Sequence, residues 1–325
     1  MRAIQAFFEQ TGGPEVIQWR EVDLPAPGPG EILVRHEAVG LNYIDTYFRT
    51  GLYPAPLPAG LGMEAAGVIE AVGEGVSGYK PGSRVGYFGS SLGAYASARI
   101  MKAADVIPVP AEIDLATAAA ILLKGATAEF LVERCAPVAA GDWALVPAAA
   151  GGVGDLLVQW LTARGVRVIA SVGSEAKVAK AQASGAELVL LSGDPDLVKR
   201  VHAATDGVGV RAVYDGVGAA TWESSLGSLA KRGTLASFGN ASGPVTGVNL
   251  GVLASHGSLF VTRPTLFDYY RDRAEAGPAV EKLWAMVSAG KLRVDIGQTY
   301  PLTEAAQAHR DLEARKTTGS TVLLP

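Results

Sequence analysis

The sequence has a single cysteine, Cys135, among 325 residues. One thiol excludes a disulfide framework and any zinc site built on cysteines. Its neighbours, Phe130 to Arg134, read as helix. Cys135 is therefore expected to be a buried or half-buried thiol and not a nucleophile. Histidine is also scarce: His36, His202, His256 and His309 stand apart, with no paired ligand spacing. Charged residues make up 18% of the chain, and the formal net charge is −4. That leaves no footprint for nucleic acid or an anionic membrane. The longest apolar stretch, residues 116–140, is broken by Lys124, Glu129, Glu133 and Arg134. No run of membrane-spanning length is expected. Residues 1–5 lack the apolar core of a secretory signal. Together these absences predict a reduced, cytoplasmic protein with no nucleic-acid or membrane partner.

What remains is rich in small and apolar residues. Hydrophobic residues reach 49%, and there are 40 glycines. This suits a well-buried α/β fold with many tight turns, and the length suggests two domains. Residues 1–122 carry short alternating strands and proline-marked turns. Ile32, Val34, Ala38 and Gly40 alternate with Leu33, Arg35 and Glu37, as a two-faced strand should. Residues 123–260 change to a strand–helix rhythm, with strands expected at 142–146, 166–171, 188–191, 210–214 and 234–238. Repeated βα units imply a doubly wound parallel sheet with helices on both faces. Residues 261–325 follow a strand near 259–262. They show helices near 279–289 and 303–314, then a last strand at 321–324. A lone terminal strand has no sheet of its own, so it is expected to rejoin the first, β-rich domain.

The most informative text is Ala149-x-Gly151-x-x-Gly154, between the strand ending at Val146 and a helical pattern through Leu156, Leu157, Trp160 and Leu161. It is the dinucleotide-binding turn with alanine in the first glycine place. Small residues let the backbone approach a pyrophosphate, and the helix N-terminus offers it free N–H groups. The alternative is a plain strand-to-helix turn. Pro147 stands just before it and should end the strand. An NAD site usually has a carboxylate at the end of the second strand. Here the strand runs out through Gly173 and Ser174 to Lys177, while Glu175 is expected to face solvent. A hydroxyl and an ammonium favour a ribose 2′-phosphate, so NADPH is preferred over NADH. Lys177 reads alternatively as a solvated helix lysine.

Longer blocks carry a resemblance. They include Gly40-Leu41-Asn42-Tyr43-Ile44-Asp45-Thr46-Tyr47, Arg49 to Pro54, Leu61 to Gly67, Leu123-Lys124-Gly125, Ala148 to Gly154, Ser237 to Asn240, Val261 to Pro264, and Leu312 to Arg315. On these the chain resembles, end to end, the zinc-independent quinone oxidoreductases. These form the zeta-crystallin-like branch of the medium-chain dehydrogenase/reductase superfamily. The resemblance implies a GroES-like catalytic domain formed by both chain ends, a Rossmann domain inserted between them, NADPH in the cleft, and a homodimer. It implies cofactor contacts at Asn42, Tyr47, Ala150, Gly151, Gly152, Val153, Gly173, Ser174, Lys177, Phe238, Gly239, Asn240, Val261, Thr262, Arg263 and Arg315. Arg315 reads equally as a cation complementing a helix C-terminus.

Two departures stand out. Ser192 occupies a place where relatives often carry a ring against the adenosine, which weakens that contact. Asn42 and Met63 occupy two zinc-ligand places of the related alcohol dehydrogenases, and an amide and a thioether do not build that site. Glu64 is then structural. Without a metal, alcohol oxidation is disfavoured, whereas a quinone accepts hydride readily if donors meet the developing oxyanion. Asn42, Tyr47 and Tyr53 are the catalytic candidates; ordinary packing of a Tyr-rich loop is the plainer account. The expected activity is hydride transfer from NADPH to a quinone. Reduction of activated alkenes and NADPH binding without catalysis are the alternatives.

Overall fold

The computed structural model describes residues 1–89, 91–271 and 273–325. The chain divides into two compact units. The first comprises Met1–Lys124, Tyr270–Ser288 and Val294–Pro325; the second comprises Gly125–Tyr269 and Ala289–Arg293.

In the first unit, β1 (Arg2–Phe8) pairs antiparallel with β2 (Gln18–Asp23). The long strand β3 (Glu31–Leu41) follows, then helix α1 (Tyr43–Thr50). Asn42 is the N-cap of α1, Asp45 sits in its first turn, and Gly51 closes it at φ 82°. These are the start and stop signals of a short helix. A two-residue β4 (Ala59–Gly60) joins β1. β5 (Glu64–Val72), β6 (Arg84–Phe88), β7 (Ala98–Lys102) and β8 (Ile107–Pro108) form an antiparallel sheet with β3. The expected two-faced alternation of β3 is blurred. Only Glu37 is well exposed, because the strand is covered on both sides and its register slips at Leu33/Val34 and His36/Ala38. The core gathers Phe8, Ile32, Val34, Leu61, Ile69, Val85, Tyr87 and Tyr95.

Helix α2 (Leu115–Phe130) runs on through a π-helical turn, Leu131–Cys135. By length and composition this helix is long enough to cross a membrane, contrary to the expectation from its four charged residues. However, 83% of its most apolar window is buried inside the protein, as in a core helix.

The second unit is a six-stranded sheet. Its elements are β9 (Trp143–Val146), α3 (Gly152–Ala163), β10 (Arg167–Val172), α4 (Val178–Ala183), β11 (Leu188–Leu191), α5 (Leu197–Ala204), β12 (Val210–Asp215), α6 (Trp222–Gly227), β13 (Leu229–Ser237), α7 (Gly251–Ser255), β14 (Phe260–Thr262) and α8 (Leu266–Tyr269). The order is β11-β10-β9-β12-β13-β14, and every pair is parallel. The order reverses at β9, which places a ligand-binding crevice at the C-terminal strand ends. β9 stops at Val146, directly before Pro147, as the missing N–H requires.

The chain then returns to the first unit through α9 (Arg273–Ser288), β15 (Ile296–Pro301), α10 (Ala305–Glu313) and β16 (Ser320–Leu324). β16 lies antiparallel to β3, with Thr321 opposite Leu41. The last strand thus rejoins the β-rich domain as anticipated. α9 begins six residues before the expected start, since Pro278 lies inside it and not at its entry. β15 was not anticipated. Its half-buried edge position gives it a mixed sequence, Ile-Gly-Gln-Thr-Tyr-Pro, without a clear period.

Candidate active site

The second unit presents a row of backbone donors and small residues along the C-terminal ends of its strands. Between β9 and α3 the chain turns through Ala148, held at φ 53°. The Ala149 amide donates to the Ser171 carbonyl of β10 at 3.1 Å. Gly151 is the N-cap of α3, and no side chain caps the helix. The first amides, at Gly152 and Val153, have no intrahelical acceptor. They are left for an anion, favoured there by the helix dipole. Gly154 has a different task. A Cβ there would lie 2.4 Å from the Ala148 carbonyl oxygen, so the turn and helix can pack only without one.

At the end of β10, a Cβ on Gly173 would meet nothing within 4 Å. Ser174 and Glu175 are exposed, and Lys177 is half-buried. Ser192, just past the end of β11, donates to the Ser171 hydroxyl at 3.3 Å. Under β12, Asp215 accepts from the Val217 amide and from the Thr221 and Ser225 hydroxyls, all at 2.7 Å, which fixes the following turn. After β13 and β14, Arg263 ties two strand ends together. Its Nη1 donates to the Phe238 carbonyl at 2.9 Å. The Asn240 amide oxygen, correctly oriented, accepts from Nη2 at 3.1 Å. The structure thus joins Phe238, Asn240 and Arg263 directly. Val261 lies on the outer strand, paired with Leu235. Thr262 is turned toward Cys135, whose half-buried thiol is pushed up by burial against hydrogen bonds from Tyr269 and Thr262. The unpartnered helix amides and open glycine positions fit a pyrophosphate and ribose. The serine and lysine beyond β10 suit a further phosphate.

In the first unit, Asn42 joins β3 to α1, Tyr47 lies within α1 and Tyr53 just beyond its end. Asn42 is buried. Its side-chain nitrogen donates to Glu64 Oε2 at 2.8 Å and toward the Gly40 carbonyl at 3.4 Å. Glu64, fully buried, also accepts from Lys124 Nζ at 3.2 Å and from the Leu123 amide at 2.7 Å. Gly40 keeps this carboxylate in place, because a Cβ there would come within 2.3 Å of Glu64 Oε2. Both Glu64 carboxylate oxygens are thus engaged within the protein. Tyr47 is buried and packs edge-on against Tyr53, with ring centroids 5.2 Å apart, and beside Tyr43 at 5.9 Å. Arg315 follows α10, exposed, and its charge bears on Tyr43. Among the described residues no group of three or more His, Cys, Asp or Glu side chains could hold a metal ion.

Beneath these residues runs a network that sequence reasoning missed. Arg49 Nη1 donates to His309 Nδ1 at 3.0 Å. A guanidinium only donates, so Nδ1 accepts and the ring proton sits on Nε2. Nε2 therefore donates to the Tyr95 oxygen at 2.9 Å, and the Tyr95 hydroxyl donates to Asp45 Oδ2 at 3.0 Å. The same Asp45 oxygen accepts from the Asn42 amide at 2.9 Å. Arg49 also holds Glu313 through two bonds, at 3.0 and 2.6 Å. Burial pushes Asp45 up to about 7, against the lowering pull of the Asn42 and Tyr95 bonds. Burial, then Arg49, pushes His309 down to about 3. Asp45 and Arg49 lie one turn apart on α1, but Tyr95 and His309 come from distant parts of the chain, with no motif to join them.

Comparison with known proteins agrees with this arrangement. Residues 28–111 match the family model described as the alcohol dehydrogenase GroES-like domain, and residues 152–278 match the one described as zinc-binding dehydrogenase. The chain is 47% identical over 319 residues to a quinone oxidoreductase of Pseudomonas aeruginosa, covering 98% of both. A 2-haloacrylate reductase of a Burkholderia species is 40% identical, again over 98% of each chain. The crystal structure of Escherichia coli quinone oxidoreductase complexed with NADPH superposes with a TM-score of 0.96 at 45% identity, covering 99% of this chain and 100% of that one. This chain belongs to the quinone oxidoreductase family of the medium-chain dehydrogenase/reductase superfamily.

Proposed function

We propose that this protein is an NADPH:quinone oxidoreductase that works without a metal. The observation that carries the reading is its full-length likeness to a quinone oxidoreductase solved with NADPH. Bound NADPH supplies a hydride. The amides of Gly152 and Val153 receive the pyrophosphate, Gly173 leaves room for the ribose, and Ser174 and Lys177 contact its 2′-phosphate. Phe238, Gly239, Asn240, Val261, Thr262 and Arg263 line the nicotinamide end, and Arg315 adds a second cation toward the phosphates. Asn42, Tyr47 and Tyr53 position the quinone against the nicotinamide. A proton from solvent completes the hydroquinone. The absence of metal in the chemistry is supported by the donor set at the ancestral ligand places. Asn42 is engaged by Glu64, and Met63 is a thioether. Reduction of an activated alkene is the second reading, favoured by the likeness to 2-haloacrylate reductase.

One steady-state experiment tests both. NADPH oxidation is followed with benzoquinones, with 2-haloacrylate and with simple alkenals, each with and without a chelator. Quinones are expected to give the highest kcat/KM, unchanged by chelation. A preference for alkenes would install the second reading, and a loss on chelation would end the metal-free one. In the same assay Lys177→Ala is expected to narrow the NADPH-over-NADH ratio about tenfold, the worth of one charged hydrogen bond. Tyr47→Phe is expected to lower kcat/KM by roughly tenfold to a hundredfold if its hydroxyl serves the oxyanion. Unchanged ratios would remove either residue from its role.

The protein is further proposed to be a cytoplasmic homodimer. β14 ends the sheet of the second unit, and Phe260 on it is 61% exposed, with exposed Leu250 nearby in sequence. An unprotected apolar edge strand invites pairing with a second copy. Light scattering should give twice the chain mass, and Phe260→Glu should halve it. A monomeric parent protein would exclude the assembly.

A further inference from the structure

Resting on the quinone reductase reading, the geometry points to Lys124 as a further catalytic residue: its ammonium hydrogen-bonds the quinone oxygen that becomes an oxyanion when hydride arrives. Three observations carry this. The first concerns the donors. An oxyanion needs an N–H or O–H directed at it. The Asn42 side chain has two hydrogens, and both are aimed inward, at Glu64 and at Gly40. Asn42 thus has no N–H left to give, and its carbonyl oxygen, which caps the first turn of α1, is an acceptor and not a donor. Lys124 has three N–H bonds, and among the described residues one acceptor is recorded for them, Glu64 Oε2.

The second concerns access. Glu64 is fully shielded, whereas 6% of the Lys124 side chain reaches the surface. Of the buried pair, only Lys124 has any side-chain surface left to meet a small molecule. The third concerns charge. A lysine in an apolar helix is expensive to bury unless paired. Glu64 accepts from Leu123, Asn42 and Lys124 at once, the pattern of an ionised carboxylate that holds a cation beside it. Glu64 is therefore the positioning residue, and Lys124 the group in contact with substrate.

The chemistry balances without another reagent. The quinone gains a hydride, with its electron pair, from NADPH, which is oxidised to NADP⁺. The negative charge falls on the carbonyl oxygen facing Lys124. Lys124 keeps its proton and donates only a hydrogen bond. Water then supplies the proton that forms the O–H bond of the hydroquinone.

The test uses the full-length enzyme. Lys124→Ala is compared with the parent in NADPH affinity, by fluorescence titration, and in kcat with a benzoquinone. Because the alanine variant leaves Glu64 without its cation, the double variant Lys124→Met with Glu64→Gln is measured alongside, keeping the interior neutral. Both are expected to bind NADPH within about threefold of the parent while kcat falls by roughly a hundredfold, the usual effect of losing one oxyanion donor. Methylammonium should restore Lys124→Ala at least tenfold, saturably. Tetramethylammonium, which has no N–H, should not. The proposal is overturned if the double variant binds NADPH normally and keeps kcat within threefold of the parent, or if both amines rescue alike. If the parent enzyme itself reduces no quinone, it is the quinone reductase reading that has failed.

Discussion

Replacing Gly154 by valine is expected to reduce NADPH affinity by roughly a hundredfold or more, equivalent to about 2.7 kcal/mol. The argument is steric. The first atom of any side chain at this position would sit 2.4 Å from the Ala148 carbonyl oxygen and 2.9 Å from the Ala149 Cα. Both obstacles are backbone, so no rotamer change relieves them. Ala148 already occupies left-handed space at φ 53°, and Ala149 is pinned by its bond to Ser171. The clash must instead push α3 away from the turn. Overpacking of this kind costs about 1–3 kcal/mol in stability. It also displaces the amides of Gly152 and Val153, to which the proposed site assigns the pyrophosphate. Fluorescence titration with NADPH measures the effect. Binding within threefold of the parent protein would mean that the turn does not hold the cofactor. Gly277→Ala in α9 is the control: a Cβ there meets nothing within 4 Å and lies outside the nucleotide turn, so NADPH binding should be unchanged.

Replacing Arg49 by methionine is expected to destabilise the protein by about 2–4 kcal/mol, since two inner acceptors lose their donor and the one-third exposed Glu313 loses its cation. Arg49 is 1% exposed, yet it supplies hydrogen bonds to His309, Glu313 and the Gly12 carbonyl. Methionine fills much of the volume and leaves all three acceptors unserved. The loss should depend on pH. In the native protein His309 is held neutral, with its pKa lowered to about 3 by burial and then by Arg49. A depressed native pKa contributes stability that is complete above the unfolded value near 6.5 and disappears as pH falls toward 3. Without the guanidinium His309 is less depressed, so less is lost on acidification. The gap between parent and variant should therefore be widest at pH 7 to 8 and narrow as the pH is lowered from 6.5 to 4. Urea unfolding at several pH values reads this directly. A pH-independent gap would show that Arg49 does not hold His309 neutral. Asp45 works in the opposite sense in both proteins. Its native pKa, raised to about 7, favours the fold below about 4, and that contribution is lost as pH rises through 7.

The sequence made the second unit legible because its signals are local. A strand, a glycine turn and an amphipathic helix lie within about twenty consecutive residues, and each implies the next. The strands at 188–191 and 210–214 were likewise readable from short apolar runs bounded by glycine. The first unit resisted. Its strand β3 is buried on both sides, so alternation carries little information. Helix α1 has only eight residues, too few for a period to show. The candidate site divides in the same way. Asn42, Tyr47 and Glu64 could be singled out, because zinc-ligand places and family blocks draw attention to them. Lys124 was noted only as an interruption in an apolar stretch and as part of a matching block. What makes it notable is Glu64, sixty residues earlier, which becomes its neighbour only after folding. The same holds for Asp45, Tyr95 and His309, each an ordinary residue until three separate elements bring them together.

The pairing of Leu41 with Thr321 has a bearing on how the chain reaches this state. The strands of the second unit all fall between residues 143 and 262 and can associate as soon as that stretch has left the ribosome. The strand that delivers Asn42 cannot gain its outer neighbour until nearly the whole polypeptide has been made. Contacts of such long sequence separation form slowly. The second unit is thus able to mature first, and the β-rich unit that carries Asn42 matures last.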